Sequence, residues 1–196
     1  MSDTIAVEMG ETRVSNIRGD RLLAFGLGAC IGLCVYDPKR SLAALVHIVL
    51  PQTLPYAALK TPGKAAPTPL LGKCAETAVP HVLSEMYKNG GSAQSIRAAI
   101  IGGARIFTSA STSGAIGSRL EIGPRNIIAV KEALMRAGIP LVAEEVGGRC
   151  GRTVTFEVET GRVLVRAIGA EEKLLVDLSG VCSPIRELEG IGSIER

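Results

Sequence analysis

The chain has 196 residues, a formal net charge of +3 and an apolar fraction of 46%, while aromatic residues make up only 3%. This apolar fraction excludes a disordered chain, and the length suits one globular domain with short tails. The charge is small and no basic run is interleaved with aromatic residues. Nucleic-acid binding is therefore not expected.

The N-terminal sequence and the cysteines favour a soluble, cytoplasmic protein. The start at Met1 lacks the positive charge and the apolar stretch of a signal peptide. The longest strongly apolar run, residues 42–50, is too short to cross a bilayer, so the protein is not expected to be membrane-inserted. An odd number of cysteines without a C-x-x-C pair is typical of free thiols in a reducing compartment, and neither a metal nor a cofactor is expected. The cysteines are Cys30, Cys34, Cys74, Cys150 and Cys182.

The first quarter of the chain predicts strands on either side of a glycine-rich corner. Short strands are expected at residues 5–7 and 21–25, and the corner at 26–29. After the corner, alternating apolar residues predict a strand over 31–37. Residues 41–50 are apolar on both faces, which predicts a central strand.

The rest of the chain predicts two helices, further strands and irregular segments. Helices are expected over 71–88, where Pro80 should cause a kink or a late start, and over 124–138. The proline-rich residues 51–72 and the Ser/Thr/Gly-rich residues 108–118 predict two functional or mobile loops. Strands are expected at 95–101, 141–146, 153–159, 162–168 and 173–178. This order of elements predicts a single α/β domain over residues 1–178 and a loose C-terminal tail over 179–196.

Cys30 is the first candidate for chemistry, because it ends the segment Gly26-Leu27-Gly28-Ala29-Cys30. A thiolate that attacks an amide carbonyl needs space and nearby backbone N–H groups for the developing oxyanion. Small residues leave that space, and glycines permit the backbone geometry that gathers N–H groups. The alternative is structural, since a free cysteine at the start of an apolar strand is often a small buried hydrophobe.

His47 is the second candidate, because it interrupts the apolar strand predicted over 41–50. A buried histidine needs hydrogen-bond partners, and a core histidine with satisfied bonds is the alternative interpretation. Cys30 and His47 lie at similar distances on either side of the turn at Asp37-Pro38. Antiparallel pairing of the two strands would therefore bring them close together. An imidazole beside a thiol is expected to lower the pKa of the thiol.

The remaining candidates have weaker patterns. Cys34 lies four residues beyond Cys30 and is expected in the core. Gly102-Gly103 follows a predicted strand, and a simple turn is the alternative to lining a substrate cleft. Gly28, Ala29, Gly102 and Gly103 are the candidate residues for the oxyanion site or the substrate cleft.

Several segments together resemble the chemoreceptor glutamine deamidases, the CheD family. Cys30 with its preceding residues and His47 followed by Leu50-Pro51 carry the first part of the resemblance. It extends over roughly residues 20–170. The other matching segments are Gly63-Lys64 or Gly72-Lys73 before Ala75–Ala78, then Ile101–Ala104, Ile122–Asn126 and Glu157–Arg166.

The resemblance implies a layered α/β/α sandwich around a mixed sheet, related to bacterial toxin deamidases. It implies hydrolysis of selected glutamine side chains to glutamate on methyl-accepting chemotaxis receptors, and a possible partner phosphatase of the CheC type. The nucleophile falls on Cys30 and the histidine on His47. The family's third active-site residue, a threonine, falls on Ala24, so reduced activity is expected, with recovery in an Ala24→Thr variant.

The sequence leaves two other functions open. A module that docks receptor or phosphatase without turnover is favoured by Ala24, which has no side-chain oxygen. A cysteine peptidase or transglutaminase-like enzyme would use the same pair of Cys30 and His47 for cleavage or cross-linking.

Overall fold

A computed structural model describes residues 3–52, 70–106 and 122–180 of the chain. The predicted loops fall mainly outside these residues, as does the predicted tail from residue 181 onward. Ser179 and Gly180 are described: the Asp177 carboxylate accepts hydrogen bonds from both of their backbone N–H groups, and the carbonyl of Gly180 accepts one from Arg97.

The described residues form ten strands and two helices. In chain order these are β1 (Thr4–Ala6), β2 (Thr12–Ser15), β3 (Arg21–Leu27), β4 (Ile31–Asp37), β5 (Leu42–Ile48), α1 (Ala75–Lys88), β6 (Arg97–Gly102), α2 (Ile122–Arg136), β7 (Leu141–Val146), β8 (Arg152–Glu157), β9 (Arg162–Ala167) and β10 (Lys173–Asp177). None of the helices in this part of the chain is long and apolar enough to span a bilayer.

The strands form two five-stranded sheets, here named the outer and the inner sheet. The outer sheet has the order β1-β3-β8-β9-β10, and the inner sheet has the order β2-β5-β4-β6-β7. Both sheets are mixed, because β1 pairs with β3 and β6 with β7 in parallel while the other pairs are antiparallel. β4 and β5 are buried along their whole length, which confirms the prediction of a central strand.

Two hydrophobic clusters hold the layers together. One lies between the inner sheet and both helices, and includes Leu33, Val46, Val82 and Val130. The other lies between the two sheets, where Phe156 of the outer sheet is buried in the same cluster as Leu45 of the inner sheet. The described elements are therefore stacked as helices, inner sheet and outer sheet.

This stacking corrects the predicted α/β/α sandwich around one mixed sheet. Within the described ranges both helices share one cluster with the inner sheet, and a second sheet covers its other face. The physical reason is the alternation of β8 and β9, whose inward residues such as Val154 and Val165 are fully buried while intervening residues are not. A strand that buries one face packs against another layer, here the inner sheet.

Most of the predicted elements are confirmed with bounds shifted by a few residues, and the main differences are at β2, α1 and β3. β2 was not predicted, and it forms because its four residues pair antiparallel with Ala43–Val46 of β5. α1 begins at Ala75, later than predicted, and contains Pro80. β3 continues to Leu27, so the corner before Cys30 is shorter than expected.

Candidate active site

Two chain segments pass between the sheets at the end where Cys30 lies. Residues 28–30 connect β3 of the outer sheet with β4 of the inner sheet, and residues 7–11 connect β1 with β2. The second segment is held to β5, because Gly10 N–H donates to the carbonyl of His47 at 2.8 Å and His47 N–H donates to that of Glu11 at 3.1 Å. Both candidate residues thus lie at one edge of the layer between the sheets.

The strand register brings Cys30 and His47 to the same face. β4 and β5 are antiparallel, as predicted, and Gly32 is the direct partner of His47. Cys30 lies two residues before Gly32 and packs against the cluster between the sheets. His47 alternates with Leu45, which belongs to the same cluster. Residues in such a diagonal relation lie close enough for long or aromatic side chains to reach across.

The His47 ring is oriented by a backbone carbonyl. Its Nδ1 lies 3.3 Å from the carbonyl oxygen of Val7, so Nδ1 carries the proton and donates it. Its Nε2 is buried and has no hydrogen-bond partner among the described residues. The neutral ring therefore presents an unprotonated nitrogen to the layer in which Cys30 lies.

Burial sets the charge state of His47. The pKa of the ring is lowered, mainly because burial disfavours the imidazolium. The bond to Val7 and the carboxylate of Glu8 act in the opposite direction, and burial outweighs them. His47 is therefore neutral near pH 7 and able to accept a proton.

Burial also sets the state of the Cys30 thiol. Cys30 is half-buried, and this burial raises the pKa of its thiol. The expected lowering of this pKa by the imidazole is thus wrong, because loss of hydration outweighs the neutral ring nearby. The resting pair is a thiol and a neutral imidazole. Cys34 is fully buried, with its pKa also raised, which confirms its place in the core.

The corner before Cys30 is held by three of its carbonyl groups. The carbonyl of Gly28 accepts from Ala104 N–H at 2.7 Å, and the carbonyl of Cys30 accepts from Gly103 N–H at 2.8 Å. Between them, the carbonyl of Ala29 accepts from Nδ2 of Asn126 at 2.8 Å. No carbonyl of the described residues accepts from the N–H groups of Ala29 and Cys30. These two donors are therefore available for an oxyanion.

Gly102 and Gly103 lie against the backbone of Cys30. Gly102 has φ +113°, and a Cβ atom there would lie 2.2 Å from the Cys30 carbonyl oxygen. Only glycine permits both the φ value and the close approach. The loop after β7 lies against the glycine pair, because Gly147 N–H donates to the carbonyl of Gly102 at 2.8 Å. The structure thus brings the glycine pair to the Cys30 corner.

Ala24 is fully buried in β3, where it pairs with Val154 of β8. It lies in the cluster between the sheets and offers no side-chain oxygen. Two contributors to the site were missed from the sequence, the Val7 carbonyl and Asn126. A backbone carbonyl leaves no signal in a sequence. Asn126 does, because it occupies the apolar face of α2, four residues before the buried Val130.

The described part of the chain contains no group of three His, Cys, Asp or Glu side chains arranged to hold a metal ion. Its four described cysteines are free thiols. The chemistry available at this edge of the sheets is that of a thiol, a neutral imidazole and two backbone N–H donors. Such a set is typical of enzymes that transfer acyl groups through a cysteine thioester.

Comparison with known proteins identifies the family of the chain. The family described as CheD chemotactic sensory transduction matches residues 53–167, which is more than half of the chain and begins after Cys30 and His47. The chain belongs to the CheD family.

Curated relatives cover nearly the whole chain, and each is named "probable chemoreceptor glutamine deamidase CheD". The protein of Symbiobacterium thermophilum is 40% identical over 85% of this chain and 94% of its own length. That of Caldanaerobacter subterraneus is 38% identical over 86% of this chain and 95% of its own. That of Syntrophomonas wolfei is 37% identical over 89% of this chain and 100% of its own.

One solved structure, the Bacillus licheniformis hypothetical protein YfiH, is a remote neighbour. It is 16% identical in sequence with a TM-score of 0.41, and the match covers 70% of this chain and 49% of the YfiH chain. A likeness this weak assigns neither a fold nor a function.

Proposed function

We propose that this protein hydrolyses the side-chain amide of selected glutamine residues on methyl-accepting chemotaxis receptors, with Cys30 as nucleophile and His47 as proton carrier. The observation that carries the proposal is the Nε2 of His47, which is buried on the face that His47 shares with Cys30 and has no partner within residues 3–52, 70–106 and 122–180. A core histidine kept only for packing would have its polar atoms satisfied. The names of the relatives support the reaction and the receptor substrate.

In the first step a tetrahedral intermediate forms. The proton of Sγ passes to Nε2 of His47 as Sγ attacks the Cδ atom of the glutamine side chain. The former carbonyl oxygen becomes an oxyanion, which the N–H groups of Ala29 and Cys30 stabilise. The loss of one such donor typically costs about 3–4 kcal/mol of transition-state stabilisation.

In the second step the thioester forms and is hydrolysed. The His47 imidazolium gives its proton to the leaving nitrogen, the C–N bond breaks, and ammonia departs from the thioester. The neutral ring then takes a proton from water, whose oxygen attacks the thioester carbon, and the ring returns this proton to Sγ as glutamate and the Cys30 thiol are released. One water is consumed and one ammonia released, and no cofactor takes part. The new carboxylate can bias a two-state receptor helix.

The receptor is the substrate partner in this proposal, and a cytoplasmic location is proposed with it. A phosphatase of the CheC type is proposed as a second partner, and kinship with the toxin-type deamidase fold is likewise a proposal. Both rest on the resemblance described for the sequence.

A second candidate function, docking to receptor or phosphatase without turnover, is favoured by Ala24. Its buried methyl group stands where the family places a hydroxyl. The Val7 carbonyl weighs against this alternative, because it orients His47 without a side-chain oxygen.

Ammonia release from purified receptor separates the two functions. The wild-type protein is expected to release ammonia at a rate proportional to its concentration, and Cys30→Ala to release none. Receptor binding without ammonia release by the wild type would establish the docking module instead.

A further inference from the structure

Asn126 of α2 is fully buried and joins two separate parts of the site. Its Nδ2 donates to the carbonyl of Ala29 at 2.8 Å and to that of Val49 at 3.0 Å. Ala29 precedes Cys30, and Val49 lies two residues after His47. Because both partners are carbonyl oxygens, the group facing them must be the NH₂ of the amide.

The same side chain has an unsatisfied atom. Its Oδ1 is buried without a hydrogen-bond partner among the described residues. An unpaired buried acceptor costs stability, and an apolar residue such as the neighbouring Val130 would fill this face of α2 without that cost. An apolar residue would, however, leave the carbonyls of Ala29 and Val49 without this donor, so the bonds of the NH₂ group account for the asparagine.

The planarity of the peptide group connects Asn126 with the oxyanion site. In a trans peptide the C=O of one residue and the N–H of the next point in opposite directions. Asn126 holds the Ala29 carbonyl toward α2, so the Cys30 N–H points away from α2. The bond from Ala104 N–H fixes the Gly28 carbonyl in the same way, and with it the direction of the Ala29 N–H.

The close approach of α2 makes these bonds possible. A Cβ atom on Gly123 would lie 2.5 Å from the Ala104 carbonyl oxygen and 2.6 Å from that of Gly103. Glycine at this position lets the first turn of α2 touch the loop after β6. Asn126, on the next turn, then reaches the Ala29 carbonyl.

We propose that Asn126 is a positioning residue that aims the Cys30 N–H at the oxyanion, an inference that rests on the proposed deamidase function. Its NH₂ group bonds to the carbonyls of Ala29 and Val49, so it acts on the corner through the backbone. Its loss leaves the thiol and the imidazole in place and lets the Ala29–Cys30 peptide rotate. The expected loss is about 10- to 100-fold in kcat, by analogy with outer hydrogen-bond partners of metal ligands.

Two variants and one control test this role. Asn126→Asp keeps the shape of the side chain and removes the NH₂ donor, and Asn126→Ser is the second variant in case the first does not fold. Val130→Ala is the control, because it removes buried atoms from the same helix without touching the corner. Ammonia release gives kcat and KM, thermal unfolding gives stability, and alkylation by iodoacetamide reports on the Cys30 thiol.

The proposal expects kcat to fall about 10- to 100-fold in both Asn126 variants, with KM and the alkylation rate of Cys30 changed little. Alkylation forms no oxyanion, so it does not need the Cys30 N–H. Val130→Ala is expected to unfold at a lower temperature with kcat unchanged.

A wild-type protein with normal turnover and Asn126 variants of unchanged kcat would overturn the proposal while leaving the deamidase function intact. A parallel fall in kcat and alkylation would also overturn it, because Asn126 would then act on the thiol or, through Val49, on His47. An inactive wild type would remove the proposed function and this inference together.

Discussion

The Cys30 corner and the His47 end of β5 lie on the same face of the inner sheet but are held in opposite ways. At the corner, three successive carbonyls of residues 28–30 accept hydrogen bonds, and the N–H groups of Ala29 and Cys30 remain available. At His47, both backbone polar groups and Nδ1 are bonded to residues 7–11, and only Nε2 is left.

The difference indicates a division of tasks. Free N–H donors suit the stabilisation of an anion that exists only during the reaction. A ring fixed in one tautomer suits the transfer of a proton. Each variant below disturbs one of these regions and leaves the other unchanged.

The largest effect is expected at the nucleophile itself. Cys30→Ala should abolish ammonia release, because no other group in the corner can form the thioester. Cys34→Ala is the matched control. Cys34 lies four residues after Cys30 and is buried in the core, so this variant should keep most activity. The assignment would be wrong if Cys34→Ala were inactive and Cys30→Ala active.

The next effect concerns the proton carrier. His47→Ala should lower kcat about 10²- to 10⁴-fold, the usual contribution of general acid–base catalysis. His81→Ala, the other histidine of the chain, is the control and should retain activity. If the rate of ammonia release fell by a similar factor in His47→Ala and His81→Ala, His47 would not be the proton carrier.

A smaller effect is expected from Gly102→Ala, which adds a methyl group against the backbone of Cys30. Gly102→Ala would clash with the Cys30 carbonyl and strain the backbone at φ +113°, so the corner should shift and kcat fall. Gly90→Ala is the control, because its φ of +86° is strained in the same way while nothing lies within 4 Å of its Cβ. Both variants should lose stability, on the order of 1–3 kcal/mol by thermal unfolding. Equal kcat values for Gly102→Ala and Gly90→Ala would show that Gly102 has no role in the reaction.

The pH profile tests the resting charge state of the pair. His47 must be neutral to accept the thiol proton, and burial lowers its pKa, so the acid limb of kcat/KM should have its midpoint below the ordinary imidazole value of 6.5. Burial raises the pKa of Cys30, so the alkaline limb should lie above the ordinary thiol value of 9.0. An alkaline limb below 9.0 would mean that Cys30 and His47 rest as an ion pair, because activity would then be lost when the imidazolium deprotonates.

The smallest effect is expected at Ala24. The sequence predicted a gain of several-fold for Ala24→Thr, by supplying a hydroxyl to orient the histidine. The Val7 carbonyl already accepts the Nδ1 proton, so we now expect little change in kcat. A large gain would show that the Val7 contact is not sufficient to orient His47.

The sequence predicted the strands better than their layers. Alternation along residues 153–159 and 162–168 indicated that one face of each strand is buried, and both strands are found. Alternation does not say which layer covers that face, so the second sheet was missed. β2 was missed because four residues of mixed polarity are too short for a periodic signal.

The site was predictable where it depends on strand pairing. The distances of Cys30 and His47 from one turn were enough to predict antiparallel pairing that brings the two residues close together, because the register follows from the turn. The pKa of the Cys30 thiol was not predictable, since the burial that raises it depends on the whole fold. The contact of His47 with the Val7 carbonyl was not predictable either, because every residue has a backbone carbonyl.

The most direct test of the central claim is peptide-resolved mass spectrometry of purified receptor after incubation with the wild-type protein and with Cys30→Ala. The account predicts a gain of about 1 Da at particular glutamines, from the replacement of NH₂ by OH, with the wild type and not with Cys30→Ala. Cleaved or cross-linked peptides would instead indicate a peptidase or a transglutaminase-like enzyme. Unmodified receptor in both samples would contradict the account.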